Sequence, residues 1–318
     1  MAQLEQTAAP TRWRLRPQDW VVLYRGHSFT LVTFGLFAAL GCCTGAWFMT
    51  ARGLQRGLAV DTLMPELFLA CAFAFPIGCR LLSVAHDPLL LKRPLQALVR
   101  PGFDFQGGMI AGTLSVIAIC TYRGTPVLEV LDCMALSGAM GHAIGRIGCL
   151  TYGCCHGAPT DSPFAVTYTH PESKAVWFSG IGGVPVHPTP LYSAAGNLLL
   201  VLAMDALFTT PRAGVFVATY LMAAAVGRLA IEFLRGEPAL KRLGLTSYQW
   251  ITLAQFCCGL LLLLVTGPAR PLQLGLGEAL LLALPRAWQL VVPFVVLFAA
   301  YGLHGKRVGT WLHVSGER

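Results

Sequence analysis

Long apolar runs, nearly free of charge, constrain this chain more than any other feature of its sequence. The first runs from Phe29 to Thr50 and the second from Leu63 to Val84, around Pro76. Others cover Gly107 to Tyr122, Val127 to Ile144, Leu191 to Phe208, Gly214 to Leu234 and Trp250 to Thr266. A helix needs about 20 largely apolar residues to cross roughly 30 Å of hydrocarbon, and these runs fit that requirement. A last run, Ala287 to Leu303, is shorter and contains Pro293; it suits either an eighth span or an interfacial segment. The runs are continuous and do not alternate with period two, which favours helices over barrel strands. Only 12% of the 318 residues are charged, against about 25% in soluble domains, so lipid must cover much of the surface. The expected fold is an all-α polytopic membrane helical bundle of about seven transmembrane helices, with the last run as candidate eighth. Ser162 to Val186, rich in polar residues, Gly and Pro, reads as a small extramembrane loop region.

Three sections follow from this pattern: a basic interfacial tail over 1–27, a membrane domain over 28–267, and a C-terminal segment over 268–318 with the extra apolar run and a basic tail. In the first, Arg12, Trp13, Arg14, Leu15, Arg16 and Trp20 mix cations with large apolar groups, a pattern suited to the lipid headgroup layer. The first apolar run is too long for a signal-peptide core and lacks a small-residue cleavage site, so no cleavable leader is expected. The formal charge of +8 points to anionic membrane lipid. Nucleic acid is disfavoured, because the cations are spread over loops without a long basic run. No self-similarity at a fixed period is present, which argues against a repeat-built transporter.

Most chemistry gathers in Gly141 to Thr160, GHAIGRIGCLTYGCCHGAPT, which begins in the fourth run and ends in a polar loop. Its glycines Gly141, Gly145, Gly148, Gly153 and Gly157 cost backbone entropy, acceptable where backbones approach one another or a ligand. Small-residue helix packing accounts for the first three, but not for Arg146 among them. An arginine near a helix end can simply snorkel to the interface. Yet intramembrane ionisable groups mark functional sites by default, and a guanidinium can hold a phosphate through paired hydrogen bonds. A second cluster, GRLAIEFLRGEP, places Arg228 four residues before Glu232, on one helical face where they can pair. Arg235 follows three residues later. In FDFQGGMIAG, Gln106 precedes Gly107 and Gly108 at a helix start, where exposed N–H groups favour an anion, or the glycines serve packing. In HPTPLYSAAGN, His187 and Tyr192 stand at a rigid, proline-marked entry as an interfacial cap or a headgroup contact.

Eight of the eleven cysteines lie within or beside apolar runs and read as small hydrophobes. Cys149, Cys154 and Cys155, with His156 adjoining, differ. Zinc sites usually space their cysteines by two to four residues and draw a second pair from elsewhere. Here the spacing is four, then zero, so no metal is expected and disulfide or packing roles come first. A catalytic thiol has no evident base to support it.

In order, these motifs resemble the prolipoprotein diacylglyceryl transferase family over about residues 28 to 267. Gly145-Arg146-Ile147-Gly148, continuing to Gly153 and Gly157, is similar to the family's central signature. Phe105-Gln106-Gly107-Gly108 is similar to its aromatic-His-Gly-Gly element, His187-Pro188-x-x-Leu191-Tyr192 to another, and Arg228 through Glu232 to Arg235 to its Arg-x-x-x-Glu-Phe-x-Arg element. The resemblance implies transfer of the diacylglyceryl group of phosphatidylglycerol to the lipobox cysteine of a preprolipoprotein, near its signal peptide, releasing glycerol phosphate without a cofactor. It implies catalytic roles for Arg146, Arg228 and Gln106, and substrate-binding roles for Gly107, Gly108, Gly145, Gly148, Gly153, Gly157, His187, Tyr192, Glu232 and Arg235. Five departures accompany it. Gln106 replaces a common histidine, Phe34 a tyrosine, Pro190 a glutamine, and Cys149 and Cys154 stand where asparagine and glutamate are usual. A diverged, non-catalytic lipid-binding paralogue is therefore the alternative. The resemblance also implies a bacterial inner-membrane protein with an outside N-terminus. The loop charges alone, with Arg12, Arg14, Arg16, Arg25, Arg80, Lys92, Arg93 and Arg100 on one face, would place that end inside.

Overall fold

The computed structural model describes residues 19–85, 104–209, 212–235, 241–242, 245–306 and 308. Arg12 to Arg16 of the basic tail, the loop cations Lys92, Arg93 and Arg100, and residues 309–318 lie outside the described residues.

The chain threads back and forth between two faces. At one, β1 (Val22–Arg25) and β2 (Thr30–Val32) form an antiparallel hairpin, and β2 pairs with a last strand at Leu303–His304. From this hairpin face α1 (Thr33–Gln55) runs to the far face and α2 (Val60–Ala85) returns, with Pro65 and Pro76 inside it. Helices α3 (Phe105–Tyr122) and α4 (Val127–Tyr152) repeat the excursion. The loop after α4 holds a two-stranded β3 (Val166–Thr167) and β4 (Pro185–Val186) around one helical turn, α5 (Lys174–Trp177). Helices α6 (Thr189–Asp205) and α7 (Val215–Glu232) make the next pair, and α8 (Ser247–Leu262) goes down again. The last crossing is α9 (Leu276–Ala283), a 3-10 segment and α10 (Val291–Gly302).

Among the described residues, six stretches are long and apolar enough to cross a membrane: α1, α2, α3, α4, α7 and Leu276–Gly302. Helix α6, at 17 residues, is about 25 Å long at ~1.5 Å per residue, and Gln249–Val265 is similarly short. The protein is a polytopic all-α membrane bundle, as the apolar runs predict. The final run is longer than its sequence suggests, because the helix begins at Leu276 and not at Ala287. It follows α1 along its length: Gly302 meets Gly35 at the hairpin face, and Ala279 and Ala283 pack with Ala51 toward the other.

Helix α4 is the centre of the bundle. It lies antiparallel to α1 with backbones close enough that a Cβ on Gly45 would stand 2.6 Å from the Ser137 carbonyl, and one on Gly141 2.6 Å from that of Gly41. Close approach through small residues is how membrane helices gain packing when lipid is as apolar as their side chains. The other flank of α4 holds α7 by a polar clamp. Buried Asp132 accepts from the backbone N–H of Gly214 at 2.8 Å and of Val217 at 2.7 Å, capping α7 from a different helix. Gly214 supplies the left-handed turn (φ 91°) that aims these donors.

The far face is tied by arginines. Arg52 is buried over the rings of Phe48 and Phe208, bonds Gln55 at 2.8 Å and pairs with Asp205 of α6. Arg56 donates to the carbonyls of Phe208 and Arg270, both at 2.5 Å. Arg123 pairs with Glu66 and Arg286 with Asp61 across neighbouring helices.

Replacing Gly45 with leucine drives a side chain into the α4 backbone and should destabilise the fold by about 1–3 kcal/mol, read as a lower Tm in detergent. Gly138→Ala, where the added Cβ meets nothing within 4 Å, should leave Tm unchanged or slightly raised.

Candidate active site at the hairpin face

The signature residues are carried by four elements that end at the same face. Helix α4 continues two turns beyond the apolar run, to Tyr152, so Arg146 and Cys149 are helical and do not lie in a polar loop. It stops at Gly153, whose left-handed φ of 75° directs the chain away, and a Cβ there would strike the Ser173 hydroxyl. Four residues on, Gly157 is the knot of the site. Its N–H donates to the His187 carbonyl at 2.9 Å, and Ala158 donates to the Leu234 carbonyl at 2.8 Å. A Cβ on Gly157 would stand 2.6 Å from the Cβ of His187 and 2.8 Å from the Leu234 oxygen. One residue thus draws together the end of α4, the start of α6 and the end of α7.

The arginines meet as a consequence. Arg228 pairs with Glu232 at 2.9 Å, one helical turn below, and lies within Coulombic reach of Arg235 and Arg146. Arg146 and Arg228 therefore come from separate helices to the same side of the bilayer. Arg146 directs its Nε at 2.7 Å to Nε2 of His142, one turn earlier on α4, and also bonds Cys155. A guanidinium has only donors, so Nε2 is the bare nitrogen of a neutral His142. The proton of the neutral ring is then on Nδ1, and His142 also bonds the side chain of Asn197 of α6. The ring stacks on Phe105 at 5.4 Å with 22° between planes, bringing the start of α3 to the same place.

His142 and Asn197 were missed by sequence reasoning. Their signal was visible only in part, as a histidine four residues before Arg146; the contact from α6 is tertiary.

The other expected residues divide by what they touch. His187 and Tyr192 meet at 3.4 Å, Nδ1 to hydroxyl. Gly107 and Gly108 face α2: a Cβ on Gly107 would strike the Gly78 carbonyl, and one on Gly108 would stand 2.5 Å from the Cys79 sulfur. The α3 start carries its own carboxylate, since Asp104 caps it by accepting from the Gln106 N–H at 3.2 Å. Gly148 lies against Phe34 and Phe37 of α1. Gly145, next to Arg146 in the sequence, has nothing beyond its own helix and chain neighbours within 4 Å of where a Cβ would be. Phe34 packs against Tyr152 at 5.7 Å and Tyr301 at 6.2 Å; those neighbours place hydroxyl-bearing rings where the phenylalanine has none.

The three cysteines of this segment converge. Their sulfurs all lie within 4.8 Å of one another, a proximity that spacing of four and zero did not announce. Cys155 is held by the hydrogen bonds of Cys149 and Cys154, with Arg146 and Arg235 nearby, and its thiol is pushed well below the usual range. Cys154, beside Cys149 and Cys155, is pushed well above it.

Fold and site together define a multi-pass membrane protein with arginines, a carboxylate and a neutral histidine gathered at one membrane face. Such an arrangement suits an anionic lipid headgroup. A family model described as prolipoprotein diacylglyceryl transferase matches residues 21–265, and the chain belongs to that family. Among relatives named phosphatidylglycerol–prolipoprotein diacylglyceryl transferase, one from Parasynechococcus marenigrum is 33% identical, over 68% of this chain and 80% of its own length. Others from Clostridium tetani, 28% identical over 75% and 94%, and Clostridium perfringens, 29% over 76% and 93%, align similarly.

Thiolate content sets cysteine reactivity, so alkylation of the reduced protein should modify Cys155 before Cys154. Between about pH 6.5 and 8.5 the Cys155 rate should change little while the Cys154 rate climbs; peptide mass spectrometry reads both.

Proposed function

We propose that this chain transfers the diacylglyceryl group of phosphatidylglycerol to the thiol of a preprolipoprotein's lipobox cysteine. The observation that carries this reading is the arrival of Arg146 and Arg228, on α4 and α7, at one face within Coulombic reach of each other. A phosphate between them would take charge-assisted hydrogen bonds from both.

The reaction needs little covalent chemistry from the protein. The acceptor sulfur attacks the glyceryl carbon bonded to the phosphate ester oxygen. The carbon–oxygen bond breaks, the thioether forms, and glycerol phosphate leaves with the thiol's proton. Charge grows on the departing phosphate, so donors fixed beforehand favour the transition state, and a site shielded from water strengthens them. Arg146 and Arg228 fill that role. Glu232 orients Arg228 through the ion pair at 2.9 Å, and Arg235 adds positive charge. His142, held by Asn197 and stacked on Phe105, is a positioning residue that fixes the Arg146 fork. Gly145 leaves room for the headgroup, while Gly148, Gly153 and Gly157 shape the frame. His187 and Tyr192 stand at the mouth for headgroup or peptide contact. Gln106 contributes an amide, and Gly107 and Gly108 hold its helix to α2. No cofactor is required by this scheme.

The signal-peptide region of the acceptor would approach from the lipid along the hairpin face, where Trp20, Val22, Leu23, Leu36 and Phe37 line an open recess. We place the protein in the bacterial inner membrane with the hairpin face and N-terminus outside. Two considerations favour this orientation over the loop-charge count. Arg146, Arg228 and Arg235 are assigned to substrate, and the far face gains Arg270 and Arg286 beside Arg52, Arg56, Arg123 and Arg212. Residues 28–267 form the transferase-like part, and 268–318 are an added segment in which Leu276–Gly302 backs α1.

Gln106 and Phe34 favour one competing reading, a paralogue that binds the lipid without transferring it. Purified protein with phosphatidylglycerol and a lipobox peptide separates the two. A thioether product supports the transferase, and lipid binding without product supports the paralogue. Arg146→Ala should abolish transfer while leaving membrane insertion intact; normal turnover in that variant refutes the assignment. His142→Ala should lower kcat by roughly 10- to 100-fold, as loss of a residue that orients a functional group does, with partial rescue by His142→Gln, whose amide oxygen can accept from Arg146.

A further inference from the structure

We infer that Cys149, Cys154 and Cys155 form a three-sulfur binding site for one soft metal ion, Cu(I), beside the arginine cluster. The inference goes beyond diacylglyceryl transfer and does not require it.

The argument begins with the backbone. Cys149 sits in the last helical turn of α4, and Cys154 and Cys155 follow the left-handed Gly153. Vicinal cysteines in ordinary extended or helical backbone send their side chains apart. Cys155 instead has a φ of 57°, the one positive φ outside glycine among the described residues. That conformation costs a residue with a Cβ roughly 1–2 kcal/mol, and it persists where surroundings impose it. Here Thr189 of α6 donates its hydroxyl to the Cys155 carbonyl. Two left-handed residues in three turn the chain sharply, and the three sulfurs converge within 4.8 Å. Around one ion at about 2.3 Å, three sulfurs in a trigonal plane stand roughly 4 Å apart, so only a small contraction is needed. Among the described residues, this is the one cluster of cysteine, histidine or carboxylate side chains that meets such a distance test.

The donor set selects the ion. Thiolates favour Cu(I), zinc and iron–sulfur clusters. Zinc in structural sites takes four ligands, and His156, the adjoining candidate, has its ring nitrogens engaged with the Gly157 carbonyl at 3.1 Å and the Ser179 hydroxyl at 3.0 Å. Cu(I) is satisfied by three sulfurs. Coordination releases the thiol protons and leaves a complex of charge −2. Arg146, Arg235 and Arg228 all lie within Coulombic reach of Cys155, and they offset that charge at the edge of the hydrocarbon.

The test is a titration of the reduced full-length protein, in lipid nanodiscs, with Cu(I) against the competing chelator bicinchoninate. One equivalent should bind, and X-ray absorption should show three sulfur neighbours without nitrogen or oxygen. Replacing all three residues (Cys149→Ser, Cys154→Ser, Cys155→Ser) should weaken that equivalent by more than about 100-fold, since loss of even a supporting residue costs 10- to 100-fold. Unchanged affinity in this variant, or a nitrogen or oxygen ligand in the wild type, overturns the site. Should the triple variant fail to fold, alkylation of the wild-type chain decides. Cu(I) must shield Cys149, Cys154 and Cys155 from N-ethylmaleimide, and shielding that falls on other cysteines, or is absent, also overturns it. Neither readout depends on transferase activity, so failure here leaves the proposed reaction standing.

Discussion

Everything at the hairpin face depends on how α4 is held, because α4 carries Arg146 and has no room to shift. In lipid the helices gain nothing from hiding apolar surface, so they are fixed by close packing and by buried polar contacts. One side of α4 is fixed by backbone against backbone with α1, where Gly41, Gly45 and Gly141 permit the contact. The other is fixed by Asp132, whose carboxylate takes two N–H groups of α7. A carboxylate within a membrane bundle is costly unless its bonds are made, and these two bonds also set the height of α7 against α4. Arg228 is therefore brought level with Arg146 by a contact at the opposite end of the helix.

The two faces use arginine differently. At the far face Arg52, Arg56, Arg123 and Arg286 are each matched by a carboxylate, an aromatic ring or a carbonyl from another element. These are structural ties. At the hairpin face, among the described residues, the charges acting on Arg228 include those of Glu232, Arg235 and Arg146. Arg146 rests on a neutral imidazole and a thiol. Three arginines and a carboxylate thus gather where α4 and α7 end, and it is this convergence, more than the presence of arginine, that sets the hairpin face apart from the far one.

The departures from the family also fall into a pattern. Gln106 follows Phe105, whose ring stacks on His142, so an imidazole of α4 lies against the start of α3. Phe34 lacks a hydroxyl and lies against Tyr152 and Tyr301. Cys149 and Cys154 join Cys155 in a cluster that asparagine and glutamate could not form. The polar groups lost from one position are accompanied by others on adjacent elements.

The sequence by itself determined the membrane fold, most of the crossings, and the identity of the arginine and glycine motifs. Those features are local: hydropathy is summed along a run, and a pair such as Arg228 and Glu232 is joined by one helical turn. It also marked Gly157 and His187 without saying that they touch. The tertiary structure alone decided that Gly107 and Gly108 serve the contact with α2, that His142 and Asn197 support Arg146, and that three unevenly spaced cysteines meet. Each of these needs two segments brought together, or, for the cysteines, an unusual backbone turn imposed from α6. Periodicity and spacing carry no record of such contacts, since they arise from distances across the bundle and not along the chain.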